Sequence, residues 1–239
     1  MHAVARFVGL DLRSMRPNAK FLIIPAAIIV VANLAASAMH LLNADDSGEV
    51  ESAGLSLYLL IPAMSCLVVL NTVMHLFGND ERGRLDTLYA ALGIRRQHVV
   101  LGRYATCLLM LIAFTVAGTL VAPVAALAFG ADFDWAIAAV AAVASVTLIG
   151  TLLATQLPAY FATGPGPIRI VAIFPPAIIL AVIFGAWGFP AVRTAVLSWL
   201  DDANPARLPV AAAAAIATLS ILGLASTTLS ARLYARRDL

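Results

Sequence analysis

The sequence predicts an all-α membrane protein with six transmembrane helices, and three observations predict it. Hydrophobic residues make up 62% of the 239-residue chain and charged residues only 12%, about half the charge that a soluble domain uses to clothe its surface. The apolar residues fall into six runs long enough to cross a hydrocarbon core of about 30 Å at 1.5 Å per residue. The arginines and the single lysine, Lys20, crowd into alternate loops, as they do on the cytoplasmic side of membrane proteins. With a mean hydropathy of +0.95, the excess apolar surface must face lipid.

Residues 1–18 read as a helix lying in the cytoplasmic interface, because Val4, Phe7, Val8, Leu10 and Leu12 alternate with Arg6, Asp11 and Arg13. The first span is Phe21–Leu42. Ala36-Ser37-Ala38 resembles a signal-peptide cleavage site, but the apolar run continues to Leu42, so an uncleaved helix is expected. Gly54–Phe77, Arg103–Gly130, Trp135–Leu157, Ile168–Phe189 and Val210–Leu229 supply the other five spans. The third run is long enough to tilt or to project beyond the bilayer. Pro175-Pro176 removes backbone donors and kinks or breaks the fifth span. After it, Thr194–Asp202 reads as a short external interfacial helix anchored by Trp199.

Basic residues set the orientation. Arg6, Arg13, Arg16 and Lys20 precede the first span, and Arg82, Arg84, Arg95 and Arg96 lie between the second and third, with Arg103 at the boundary. Arg169 opens the fifth span, and Arg232, Arg236 and Arg237 follow the sixth. The opposite loops hold Asp45, Asp46, Glu49, Glu51, Asp132, Asp134, Asp201 and Asp202, with only Arg193 and Arg207 among them. Both termini are therefore expected in the cytoplasm, with the protein multi-pass in a bacterial cytoplasmic (inner) membrane.

The residues also exclude several kinds of chemistry. With Lys20 as its sole lysine, the chain has no GK[ST] phosphate loop. His2, His40, His75 and His98 are too scattered for a zinc pair, and no metal site is expected. Cys66 and Cys107 sit in apolar runs without a CxxC partner and read as buried free thiols. No GxSG-like nucleophile turn occurs, and no catalytic residue is assigned. Every Asp and Glu falls in a loop or at an interface, so no intramembrane carboxylate is available to bind a coupling ion. The polar residues inside the spans, Asn33, Asn71, His75, Thr151, Thr155 and Gln156, serve either as interhelical hydrogen-bonding groups or as a weakly polar translocation lining. Uphill transport would need energy from another subunit.

The most informative loop is His75–Tyr104. Asn79 or Asp80 can cap a helix in which Leu85, Leu88, Tyr89 and Leu92 recur at helical spacing before Gly93 stops it. Asp80, Glu81, Arg82, Arg84, Arg95 and Arg96 bracket this amphipathic helix, and charge of both signs favours a protein partner over an anionic lipid surface.

In order, Asp80-Glu81, Gly83, Leu88, Leu92, Arg95-Arg96 and Gly102-Arg103-Tyr104 resemble the first cytoplasmic loop of ABC-2 type permeases, the membrane subunits of bacterial ATP-binding cassette exporters. Gly93 stands where that family commonly has proline. Leu157-Pro158-Ala159-Tyr160-Phe161 with Gly164 and Arg169 is similar to the stretch entering the fifth span in a peptide-exporting branch, without the basic residue usual before that glycine. Leu229–Asp238 looks like the family's closing helix, so the likeness runs along essentially the whole chain.

The resemblance implies one permease transmembrane domain over residues 1–239, working as a half-transporter. A second copy or paralogue would complete a dimer in membrane lipid, with no nucleic acid bound. ATP and Mg would sit on a separate ATPase subunit, leaving no cofactor on this chain. The loop helix would be the coupling helix, with Leu85, Leu88, Tyr89 and Leu92 as the buried anchor and Asp80, Glu81, Arg82 and Arg84 as the charged rim. Cargo along an uncharged lining would be hydrophobic or amphipathic. Competing readings are a substrate-capture subunit of an energy-coupling importer, an immunity-type accessory protein, or a membrane-embedded lipid-modifying enzyme using Asp80 and Glu81.

Overall fold

A computed structural model describes residues 60–71, 96–129, 135–163 and 207–236 as helices. It also describes residues 8–9, 23–24, 26–32, 34–35, 58, 95, 132–134, 189, 191, 194 and 198. We name the four long helices α1 (Leu60–Asn71), α2 (Arg96–Phe129), α3 (Trp135–Thr163) and α4 (Arg207–Arg236). The protein is all-helical over these residues. Three stretches, Arg96–Ala128, Trp135–Thr163 and Ala212–Arg236, are long and apolar enough to cross a membrane.

The helices of the third, fourth and sixth predicted spans run past the boundaries that hydropathy sets. α2 begins at Arg96 rather than Arg103, α3 ends at Thr163 rather than Leu157, and α4 continues to Arg236 rather than Leu229. Hydropathy ends a span at the first charge or proline, whereas the backbone ladder persists wherever helical neighbours pack against it. All three extensions lie at the same end of the bundle, where Arg96 meets Tyr234 and Phe161 meets Tyr234. The 34 residues of α2 span about 50 Å, well beyond a hydrocarbon core of about 30 Å.

The helices pack as two pairs, with α1 chiefly on α2 and α4 chiefly on α3. The main buried cluster joins Cys66, Val99, Val100, Cys107, Met110, Leu111, Ile149, Leu153, Leu157, Tyr160, Phe161 and Tyr234 across all four helices. A second cluster sets Tyr58 and Ile61 on Ala122 and Ala138. In a third, Leu60, Ala125 and Ala126 hold Ile29, Val30 and Leu34 of the first predicted span. Large aliphatic residues face outward instead, to Leu127 at 81% exposure and Val210 at 69%. The face that α4 turns inward carries Leu219, Ser226, Ser230 and Tyr234, mostly small or hydroxylated. Lipid tails are as apolar as leucine, so association rests on close approach and hydrogen bonds.

Both cysteines are buried free thiols. Most of residues 1–18, most of the fifth span and of the external helix around Trp199, and the whole of the 80–92 helix lie outside the described residues.

Candidate functional site

Three of the stretches singled out in the sequence converge in space. Arg96 of the basic pair, Tyr104 of Gly102-Arg103-Tyr104, Tyr160-Phe161 of the proline stretch, and Ser230 and Tyr234 of the closing helix meet at one end of the bundle. We call it the arginine end.

Proline builds part of this site. Pro158 lies inside α3 and has no N–H to give to the carbonyl one turn back, which leaves Ala154 O without its helical donor. Ser226 of α4 donates its hydroxyl to Ala154 O. The Ser226 proton is thereby committed, so Ser226 Oγ accepts from its other neighbour, the Tyr104 hydroxyl. Tyr104 in turn accepts from Ser230, 2.8 Å away. Donation therefore runs from Ser230 to Tyr104 to Ser226 to Ala154 O, linking α4, α2 and α3 in one chain.

Nearer the helix ends, Arg96 Nη1 donates to Tyr234 O at 2.8 Å and to Ala235 O at 3.1 Å. Its guanidinium carbon lies 5.6 Å from the centre of the Tyr234 ring. That ring tilts against Phe161 with centroids 5.3 Å apart, and Phe161 meets Tyr160 edge-on at 5.1 Å. On α2 between Arg96 and Tyr104 in sequence is Arg103, only 2% exposed and, among the described residues, the largest of the fully buried side chains. A buried guanidinium is retained only where it is engaged, and Arg103 does interact with its surroundings.

A family model described as ABC-2 family transporter protein matches residues 52–235, well over half of the chain. The chain belongs to the ABC-2 transporter family. No curated protein and no solved structure matches it. Membership makes this ABC-2 protein a membrane transport component of the permease type and implies association with an ATP-binding cassette ATPase.

Of the sequence-predicted lining of the ABC-2 protein, three side chains are described. Thr151 donates back to Thr147 O at 2.7 Å, and Thr155 to Leu152 O at 2.8 Å. Thr155 is exposed while its neighbour Gln156 is buried, so the two lie on different faces of α3. Asn71 closes α1. Asn33 and His75 lie outside the described residues, as do the docking residues Asp80, Glu81, Arg82, Arg84, Leu85, Leu88, Tyr89 and Leu92.

Other polar contacts inside the ABC-2 protein escaped the sequence reading. Ser65 and Thr115 are buried and share a hydrogen bond of 2.8 Å between α1 and α2. Ser226 escaped as well, although Ser226, Ser230 and Tyr234 at four-residue intervals form a stripe along one face of α4. That spacing was available as a signal. The Ser65–Thr115 pair had none, since each residue alone is an ordinary hydroxyl in an apolar helix.

Proposed function

We propose that this chain is the permease subunit of an ATP-binding cassette exporter, moving a hydrophobic or amphipathic substrate outward with ATP hydrolysed by a separate subunit. Family membership over residues 52–235 carries this reading. The helix of residues 80–92 docks on the ATPase through Leu85, Leu88, Tyr89 and Leu92, rimmed by Asp80, Glu81, Arg82 and Arg84. The arginine end then faces the cytoplasm, which agrees with Arg96, Arg232 and Arg236 at that end of the helices.

Physical support comes from α2. It starts three residues after Gly93 and runs for 34 residues, with its one proline, Pro123, far from that end, so a push on the docking segment meets a helix rather than a flexible linker. The bundle interior suits apolar cargo. Among the described residues the buried polar groups are hydroxyls, Gln156 and Arg103, with no carboxylate. A second permease copy or paralogue would complete the pathway against the outward apolar faces of the helices.

The test is Leu88→Asp in the full chain, co-expressed with the ATP-binding cassette ATPase that co-purifies with the native chain. Membrane insertion should persist while co-purification and ATPase stimulation are lost. Normal binding and stimulation by L88D would refute docking through this helix, as would thiol labelling of residues 80–92 from the external side.

A further inference from the structure

Among the described residues, Arg96 makes two polar contacts between the helix pairs. Tyr234 O and Ala235 O belong to the last turn of α4, whose final carbonyls have no donor within their own helix. Arg96 supplies that donor from another helix. Its positive charge also sits at the negative end of the α4 dipole. Because the Tyr234 ring tilts against Phe161, the last turn of α3 is held in the same clasp. The Ser230–Tyr104–Ser226 chain repeats the attachment deeper in the bundle. Arg96 and Tyr104 are eight residues apart, roughly 12 Å along α2. Two attachments at that separation keep α4 from pivoting freely about either one.

The geometry points to Arg96 as a positioning residue that makes the α3/α4 pair follow α2 when the ATPase moves the docking segment. This inference rests on the permease reading and adds the route of transmission. α2 packs chiefly on α1, and α4 chiefly on α3. Displacement of the start of α2 reaches the second pair at this end through the clasp and through Val99 and Val100, which share a buried cluster with Phe161 and Tyr234. Without Arg96, the α4 terminus keeps its packing and its deeper tie to Tyr104, but its last turn loses the polar hold of α2.

Hydrogen–deuterium exchange on the full chain, alone and with the co-purified ATPase, tests this. In Arg96→Gln alone, amides of 229–236 should exchange about tenfold faster, reflecting the loss of charge-assisted bonds. Exchange at 132–138 should stay native, showing that the variant is folded. In the native complex, adding ATP should change exchange at both 96–103 and 229–236. In the R96Q complex the response at 96–103 should remain and that at 229–236 should fall several-fold, with the ATPase still bound. If R96Q does not fold, Arg96→Lys carries the same test, since one ammonium holds two carbonyls and a ring poorly. An undiminished ATP response at 229–236 in the folded variant would overturn the proposal, as would a native complex whose 229–236 ignores ATP. Failure of the native chain to co-purify any ATPase would instead remove the permease reading itself.

Discussion

Gly118 brings α2 so close to α1 that a side chain starting there would stand 3.0 Å from Ile61 Cα and 3.2 Å from Leu60 O. The obstacle is backbone, which cannot rotate away. At Gly150 the nominal clash is shorter, 2.8 Å, but the obstacle is the Cδ2 tip of Leu219, which can turn aside. A methyl at Gly223 meets nothing within 4 Å. Alanine also favours a helix by up to about 1 kcal/mol over glycine. Gly118→Ala should therefore destabilise the protein by about 1–3 kcal/mol, Gly150→Ala should be near neutral, and Gly223→Ala neutral or stabilising. Unfolding in detergent measures all three. A ranking that follows the shortest distance, with G150A worst, would show that backbone and side-chain obstacles are equivalent here.

One turn before Gly118, Thr115 shares its hydroxyl with Ser65 across the same α1–α2 interface. Each also donates or can donate within its own helix, to Leu111 O and Ile61 O respectively. That alternative limits what the pair is worth. A double-mutant cycle with Ser65→Ala and Thr115→Val should give a coupling of about 0.6 kcal/mol, and under about 2. Additive single effects would mean that the two hydroxyls act only within their own helices.

The sequence made the helices legible and their contacts mostly not. Apolar runs located α2, α3 and α4 because a lipid-facing helix must be apolar on nearly every side. The same uniformity hid which face turns inward: Leu127 and Leu111 look alike in sequence, yet one is exposed and the other buried. Hydropathy also stopped too early at Arg103, Leu157 and Leu229, so the Arg96–Tyr234 and Phe161–Tyr234 contacts fell beyond the predicted spans. Motif order singled out stretches along the chain without showing that three of them converge. Pairs such as Ser65 with Thr115 depend on the relative register of two helices, which no local pattern encodes.

At the arginine end, Tyr104→Phe and Ser226→Ala cut the hydroxyl chain at different points. Removing the Tyr104 hydroxyl leaves Ser226 still donating to Ala154 O. Removing the Ser226 hydroxyl strands that carbonyl, which Pro158 already deprives of its helical donor. S226A should therefore cost more than Y104F, about 1–3 kcal/mol against about 1. Pro158→Ala restores an N–H for Ala154 O, and in that background S226A should become milder. The melting temperatures of the single and double variants decide it. Equal penalties for S226A with and without Pro158 would mean that the freed carbonyl has no part in joining α3 to α4.

The opposite end of the bundle is fastened by a different device. Asp134 precedes α3, and its Oδ1 accepts the N–H of Ala136 at 2.6 Å, the geometry of an N-cap. Its own N–H goes to the Tyr58 hydroxyl at 2.6 Å, tying the start of α3 to a residue two positions before α1. Phe133 stacks on Tyr58 with centroids 5.2 Å apart and meets Trp135 edge-on at 5.0 Å. The two roles of Asp134 use different atoms, so they can be separated. Asp134→Ala removes the cap and should cost about 1 kcal/mol. Asp134→Asn keeps a capping oxygen and should cost much less. Tyr58→Phe keeps the stack but leaves the Asp134 N–H to water, with a loss of about 0.5–1.5 kcal/mol. Since the cap bond is intrahelical and the Tyr58 bond joins two elements through the backbone, D134A and Y58F should add. If the double variant instead costs no more than the worse single one, cap and tyrosine work as a unit, and the start of α3 is ordered only when both are present.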